Sequence, residues 1–395
     1  MRDVVLLGAT GSVGSNTLAV IREHPDEFRV AGLVAGRGGK RLAALALEFP
    51  AAALALSREA DADAFAALLA GSGRSGRFYP GPDGALDLLA GTRADICVAA
   101  IGGTAGLEPT FAAAAAGTRL LLANKEALVS AGRLFLAAAA AGGTEVLPID
   151  SEHCAIWQCL EGRGPAEAAR LILTASGGPF RDWPAAALAE AGPEDAIRHP
   201  VWSMGPKISV DSATLANKAL EVIEAHHLFN LPFDAIKVLV HPQAAVHGLV
   251  EFIDGTLIAC LGVSDMRQPI SRMLFTPRRR GNGLPRLDLA ALGRLDFAEP
   301  DGGCFPLLAA GIAAGRRGDR AAAFFNAANE AAVELFLARL LSFPGIAQTT
   351  LAAMRESGEG YFSRLEEVRE THARARRLVR ELAASAPRPS ARPEP

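Results

Sequence analysis

Short apolar runs recur along the first 150 positions, separated by longer stretches in which Ala and Leu repeat at helical spacing. The runs at 4–7, 30–34, 96–99, 119–122 and 145–148 predict strands. Strands that are apolar throughout and alternate with helices predict a parallel sheet covered on both faces. Beyond residue 150 the pattern changes. Strands are predicted at 171–173, 236–240, 249–253 and 256–260, the last two flanking Asp254-Gly255, a two-residue hairpin turn. This reads as an α+β region with a mixed or antiparallel sheet. The Arg-Arg-Arg-Gly-Asn-Gly-Leu-Pro stretch at 278–285 reads as linker, continuing extended to about Pro306, and 321–341 and 348–384 read as helices of a small C-terminal bundle. The expected division is 1–149, 150–277, a connection at 278–306, a helical domain at 307–386 and a disordered Pro-rich tail at 387–395.

Composition narrows the partners. A length of 395 residues suits two or three domains, and 50% hydrophobic with 21% charged residues is ordinary for a globular chain. A formal charge of -3 offers no general attraction to nucleic acid or to an anionic membrane, so any phosphate recognition must be local. The cysteines at 97, 154, 159, 260 and 304 show no C-x-x-C pair, which favours a reducing compartment over a disulfide framework or a zinc knuckle. The N-terminus enters an apolar strand without a signal-peptide pattern, and the Ala-rich runs at 111–116 and 135–141 are too short to span a bilayer. The expectation is a soluble, cytoplasmic protein.

The first candidate chemistry is Gly8-Ala-Thr-Gly11-Ser-Val-Gly14, between the first strand and a helix running to about Arg22. Glycines let the backbone approach a pyrophosphate, and the helix N-terminus offers free N–H groups. A tight structural turn is the plain alternative. After the second strand, Gly36-Arg37-Gly38-Gly39-Lys40 carries two cations and no acid, which favours NADPH over NADH, or else is a solvated basic turn.

The second is Asp150-Ser151-Glu152-His153 at the end of a predicted strand. Two carboxylates so close repel unless a cation or proton lies between them, and hard oxygen ligands suit Mg²⁺ or Mn²⁺. Helix capping by Asp150 or Ser151 explains the pair equally well. A third carboxylate comes from the polar stretch 207–224, where Asn217, Lys218 and Glu221 fall within one helical turn; a Lys218–Glu221 surface ion pair is the alternative. Ser176-Gly-Gly178 suits a phosphate, and the Pro- and Gly-bounded loop 196–206, with His199 and Trp202, suits a lid, unless Trp202 is simply core.

Taken in order, these segments resemble the 1-deoxy-D-xylulose 5-phosphate reductoisomerase family. Further matching stretches are Leu122-Ala-Asn-Lys-Glu-Ala-Leu-Val129, His241-Pro-Gln243, Leu261-Gly-Val-Ser-Asp-Met-Arg267 and Asn326-Ala-Ala-Asn-Glu330. The resemblance implies a Rossmann-like NADPH domain, a central catalytic domain, a C-terminal helical domain and a homodimer. It implies conversion of 1-deoxy-D-xylulose 5-phosphate to 2-C-methyl-D-erythritol 4-phosphate, by a retro-aldol/aldol route or a 1,2-shift and then reduction. It assigns Asp150, Glu152 and Glu221 to Mg²⁺ or Mn²⁺, with Lys125 completing the catalytic set. Lys125, Ser151, Glu152, Ser176, His199, Trp202, Ser212, Asn217, Lys218 and Glu221 would meet substrate. Thr10, Gly11, Ser12, Val13, Gly36, Arg37, Asn124, Glu126 and Gly205 would meet NADPH. Gly38-Gly39 departs from the family by replacing the polar residue usual after Arg37, and Pro206 by entering the lid's exit. A metal-free NADP-dependent dehydrogenase of a semialdehyde or sugar is the rival enzyme, and a nucleotide-sensing regulator the rival outside catalysis.

Overall fold

The structure, a computed structural model, describes residues 1–37, 39–202 and 204–385. The expected tail at 387–395 and Gly38 lie outside the described residues. By packing, the chain divides into two compact units. The first comprises Met1–Ala127, Phe135–Cys154 and Asp265–Leu284, and the second Leu128–Leu134, Ala155–Ser264 and the chain from Pro285 onward.

The first unit is built on seven strands: β1 (Arg2–Leu7), β2 (Phe28–Ala35), β3 (Ala53–Leu56), β4 (Phe78–Pro80), β5 (Ile96–Ala99), β6 (Arg119–Leu122) and β7 (Glu145–Pro148). Their order is β4-β3-β2-β1-β5-β6-β7, and every pairing is parallel. The sequence pattern missed β3, an Ala-Leu alternation without β-branched residues, and β4, three residues ending in proline. Val4 to Leu7 are at most 1% exposed, so β1 is covered on both faces as its unbroken apolar run requires. Strand order reverses direction at β1, between β2 and β5, which is where open α/β sheets bind ligands beyond their strands' carboxyl ends.

The second unit carries a mixed four-stranded sheet: β8 (Ala168–Ala175), β9 (Ile236–Val240), β10 (Val246–Phe252) and β11 (Leu257–Leu261), in the order β11-β10-β8-β9. β10 is antiparallel to both β11 and β8, while β8 and β9 are parallel. The hairpin turn lies where predicted, with Gly255 at φ +83 and the Asp254 carboxylate accepting from Thr256 N. Helices Pro306–Arg316, Asp319–Leu337, Phe343–Ala353 and Leu365–Ser385 share one apolar core with this sheet.

Three expectations need correction. The 348–384 stretch is not one helix, because Ser357-Gly358-Glu359-Gly360 interrupts it and Gly360 turns at φ +88. The 207–224 stretch is likewise two helices, Pro206–Ala213 and Ala216–Phe229, broken where Leu215 adopts φ +58. The second domain was also expected to run on to 277, yet Asp265–Leu284 packs with the first unit. There Phe275 meets the rings of His24 and Phe28 at 4.7 and 5.1 Å, and Leu274 O accepts from Arg2. No helix among the described residues is long and apolar enough to cross a membrane.

Candidate functional site

In the first unit the glycine turn closes over the end of β1. Gly8 adopts φ +91, and a Cβ there would stand 2.4 Å from Ala100 O, so only glycine fits. A Cβ on Gly14 would meet Gly8 O at 2.4 Å, so the helix can press against its own turn only as glycine. Gly11 is the N-cap of helix Ser12–Glu23, with no side-chain cap and no acid in the first turn. Thr10 to Val13 therefore present backbone at an uncapped, electropositive helix end. Gly36 and Arg37 follow β2 directly.

Asn124 and Glu126 are buried and work within the protein. Asn124 Oδ1 caps helix Lys125–Gly142 by accepting from Ala127 N, while its Nδ2 donates to Ile101 O at 2.8 Å. Glu126 accepts from Gly103 N at 2.9 Å and from Asn124 Nδ2 at 2.9 Å. Together they hold the loop after β5 at the reversal point of the sheet.

Asp150 caps a helix with one carboxylate oxygen and pairs with a cation through the other. Oδ1 accepts from Glu152 N (3.2 Å) and His153 N (3.4 Å), capping helix Ser151–Leu160, while Oδ2 pairs with Lys125 Nζ. The Ser151 hydroxyl donates to Glu152. His153, fully buried, brings Nδ1 within 3.1 Å of Asp150 Oδ1. Burial alone would raise the Asp150 carboxyl, but the Lys125 ammonium and His153 override it and hold it well below the usual carboxylate range. Sequence reasoning misses this role for His153, whose i+3 spacing from Asp150 at a helix start is the signal that announces it.

In the second unit three polar side chains from separate segments converge. His199 Nε2 lies 2.9 Å from Ser176 Oγ and 3.1 Å from Ser212 Oγ. Its Nδ1 accepts from Val201 N and Trp202 N at 3.2 and 2.9 Å, which assigns the ring proton to Nε2. Gly177 and Gly178 both have positive φ (+84, +70), and a Cβ on Gly178 would stand 2.9 Å from Ser212 O. The Gly-Gly pair is thus what lets the Ser176 loop approach the helix of Ser212. Trp202 is half-buried and not a core residue, with its ring 6.0 Å from that of His247. Gly205 and Pro206 form the N-cap and first position of helix Pro206–Ala213, a place suited to proline.

On the following helix, Glu221 accepts from Asn217 Nδ2 and Lys218 Nζ, both at 2.5 Å. Lys218 and Glu221 are 4% and 1% exposed, so the ion pair given above as the alternative forms, but buried and not on the surface. Asp211, also buried, pairs with Lys207 Nζ at 3.0 Å and accepts from Asn329 Nδ2 at 2.7 Å. Nothing local to Asp211 announces Asn329, which lies 118 residues away.

Fold and side chains together define an α/β protein with a dinucleotide-type glycine turn and lysine-paired carboxylates, buried at Glu221 and partly buried at Asp150. The chain belongs to the 1-deoxy-D-xylulose 5-phosphate reductoisomerase family. Family profiles match residues 4–132 (1-deoxy-D-xylulose 5-phosphate reductoisomerase), 146–229 (its C-terminal domain) and 261–378 (DXP reductoisomerase C-terminal domain). The chain is 46% identical to the 1-deoxy-D-xylulose 5-phosphate reductoisomerase of Paraburkholderia phytofirmans over 98% of this chain and 97% of that one. With the Xanthomonas campestris pv. campestris enzyme it shares 51% identity over 90% and 91%. It superposes on the Zymomonas mobilis reductoisomerase in complex with NADPH with a TM-score of 0.90, 39% identity and coverage of 98% and 100%. A DOX-P reductoisomerase in complex with NADPH, fosmidomycin and magnesium gives 0.92 at 39% identity, covering 97% and 98%.

Proposed function

We propose that this protein is the NADPH- and divalent-metal-dependent enzyme that rearranges and reduces 1-deoxy-D-xylulose 5-phosphate to 2-C-methyl-D-erythritol 4-phosphate, in isoprenoid precursor synthesis. The observation that carries this reading is likeness over essentially the whole chain to a structure holding NADPH, fosmidomycin and magnesium.

The residues suit such groups. The Lys125 ammonium holds Asp150 ionised, and Glu221 accepts from Lys218, so both offer carboxylate oxygens as donors to a cation. All-oxygen donors fit Mg²⁺ or Mn²⁺ and not zinc. Asp150, Glu152 and Glu221 are the proposed metal ligands. When bound, the metal supplies a Lewis acid for the substrate's carbonyl and hydroxyl oxygens, and NADPH supplies the hydride.

The protein's own groups do the rest. The Ser176 and Ser212 hydroxyls and His199 Nε2–H form the proposed phosphate cradle, and Asn217 and Lys218 hold substrate oxygens. Lys125 and Ser151 bind beside the metal ligands, where the Lys125 ammonium offsets negative charge developing on oxygen. The turn at Thr10–Val13, with Gly36, Arg37, Asn124, Glu126 and Gly205, forms the proposed NADPH site. Residues 196–206, Trp202 among them, serve as a lid that excludes water. In this reading 1–149 binds nucleotide, the chain from Asp150 to Ser264 supplies most of the chemistry and the C-terminal helical domain supports it.

A homodimer is proposed as well, supported by the open edge of β11, where Leu257 is 54% exposed beside Ile253 at 73%. A cytoplasmic setting is supported by five free cysteines, three of them buried. The test is NADPH oxidation with 1-deoxy-D-xylulose 5-phosphate, with and without Mg²⁺. Failure of well-folded protein to give metal-dependent oxidation would sink the reading, and activity that survives chelation would point to a plain dehydrogenase.

A further inference from the structure

Beyond the second strand, Gly38 and Gly39 follow Arg37 and bring no side chain to bear, so the 2′-phosphate of NADPH needs a partner from elsewhere. The structure supplies a candidate that sequence reasoning passed over. Arg41, in the first turn of helix Lys40–Glu48, donates from its guanidinium to Ser15 Oγ at 2.6 Å. Ser15 Oγ in turn donates to Gly11 O at 2.7 Å, so this arginine is tied to the glycine turn itself. Ser15 uses one of the five guanidinium N–H donors, and the planar fork that remains matches a phosphate's oxygens. Among the described residues, no carboxylate lies within ion-pairing distance of Arg37, Lys40 or Arg41. Arg22 and Arg29 nearby in sequence, by contrast, are each paired with an acid. Positive charge with no acid beside it among the described residues, at the strand end where dinucleotide folds read the ribose, calls for an anionic ligand.

We propose that Arg41 is a specificity-determining residue for the NADPH 2′-phosphate, and that Ser15 positions it. Arg37 contributes charge alongside it, but among the described residues no side-chain hydrogen bond holds Arg37 in place. The inference rests on the NADPH reading above, and direct binding separates the two. NADPH and NADH are titrated against full-length protein by nucleotide fluorescence, without substrate or metal, for wild type, Arg41→Ala, Arg41→Lys and Ser15→Ala. Arg41→Ala should weaken NADPH by about tenfold or more while NADH changes by less than about twofold, and the salt dependence of NADPH binding should flatten. Arg41→Lys should retain part of the preference, since it keeps the charge and loses the fork. Ser15→Ala should reproduce a smaller version of the Arg41→Ala loss. Equal weakening of both nucleotides would assign Arg41 to folding and overturn the proposal, as would an unchanged NADPH affinity. A wild type indifferent between the nucleotides would overturn the NADPH reading itself.

Discussion

Asn329 donates a 2.7 Å hydrogen bond to the buried carboxylate of Asp211, tying helix Asp319–Leu337 to helix Pro206–Ala213. That second helix carries Ser212, so a bundle residue with no ligand of its own sets the position of a proposed phosphate contact. Asn329→Ala should cost about 1–3 kcal/mol of stability, because it leaves a buried acceptor short of a donor. Thermal unfolding measures this. Asn329→Asp should cost more, since it sets a second carboxylate against the first.

The buried Lys218–Glu221 pair gives a sharper prediction. Lys218→Ala removes the cation from a carboxylate that is 1% exposed, and breaking such a pair costs about 3–5 kcal/mol. If Glu221 is a metal ligand, Mg²⁺ should restore part of that loss in Lys218→Ala, and none in Lys218→Ala/Glu221→Gln. Denaturant melts with and without Mg²⁺ decide it, and absence of any Mg²⁺ rescue would count against Glu221 as a ligand. Glu221→Gln alone should lose turnover and keep NADPH binding.

His199 bridges two hydroxyls and is held by two backbone N–H groups, so its replacement should act on substrate and not on cofactor. His199→Ala is expected to raise KM for the phosphorylated substrate by about tenfold or more and leave the NADPH Kd within about twofold. Steady-state kinetics beside nucleotide titration separates these effects.

Away from the site, His227 Nε2 stands 3.6 Å from Asp319 Oδ1. Burial dominates both groups, pushing Asp319 up to about 6 and His227 down to about 4, with His226 and Arg133 adding to the His227 shift. Their linkages to stability are opposite. His227 binds its proton less well folded than unfolded, so its contribution is lost as pH falls from about 6.5 to about 4. Asp319 binds its proton better folded, so its contribution is lost as pH rises from about 4 to about 6. The two slopes offset in wild type. Asp319→Asn should therefore expose the histidine slope, with stability rising by about 2–3 kcal/mol between pH 4 and 6.5 relative to wild type. His227→Asn should reverse the sign. Urea titrations across that range measure both.

Backbone geometry at Gly8 gives the last prediction. Gly8→Ala meets both a positive φ and a carbonyl oxygen 2.4 Å from the new Cβ. NADPH binding should fall by more than about tenfold, with lowered stability, as the turn shifts away from the end of β1.

The sequence alone determined what short-range physics controls. Period and turn chemistry located β5, β6, β7, β9 and the Asp254-Gly255 hairpin, because apolar runs and a turn pair need no distant partner to be recognised. Spacing also brought Lys218 to Glu221, since i and i+3 face together on any helix. What it could not supply was burial and long-range partnership. Only tertiary packing made that pair a buried one, gathered Ser176, His199 and Ser212 from three segments, and joined Asp211 to Asn329. It likewise drew Asp265–Leu284 back to the first unit and set Arg41 on Ser15. The reason is the same in each case. A side chain's dielectric surroundings and its remote hydrogen-bond partners depend on how whole elements pack, which no local window of residues encodes.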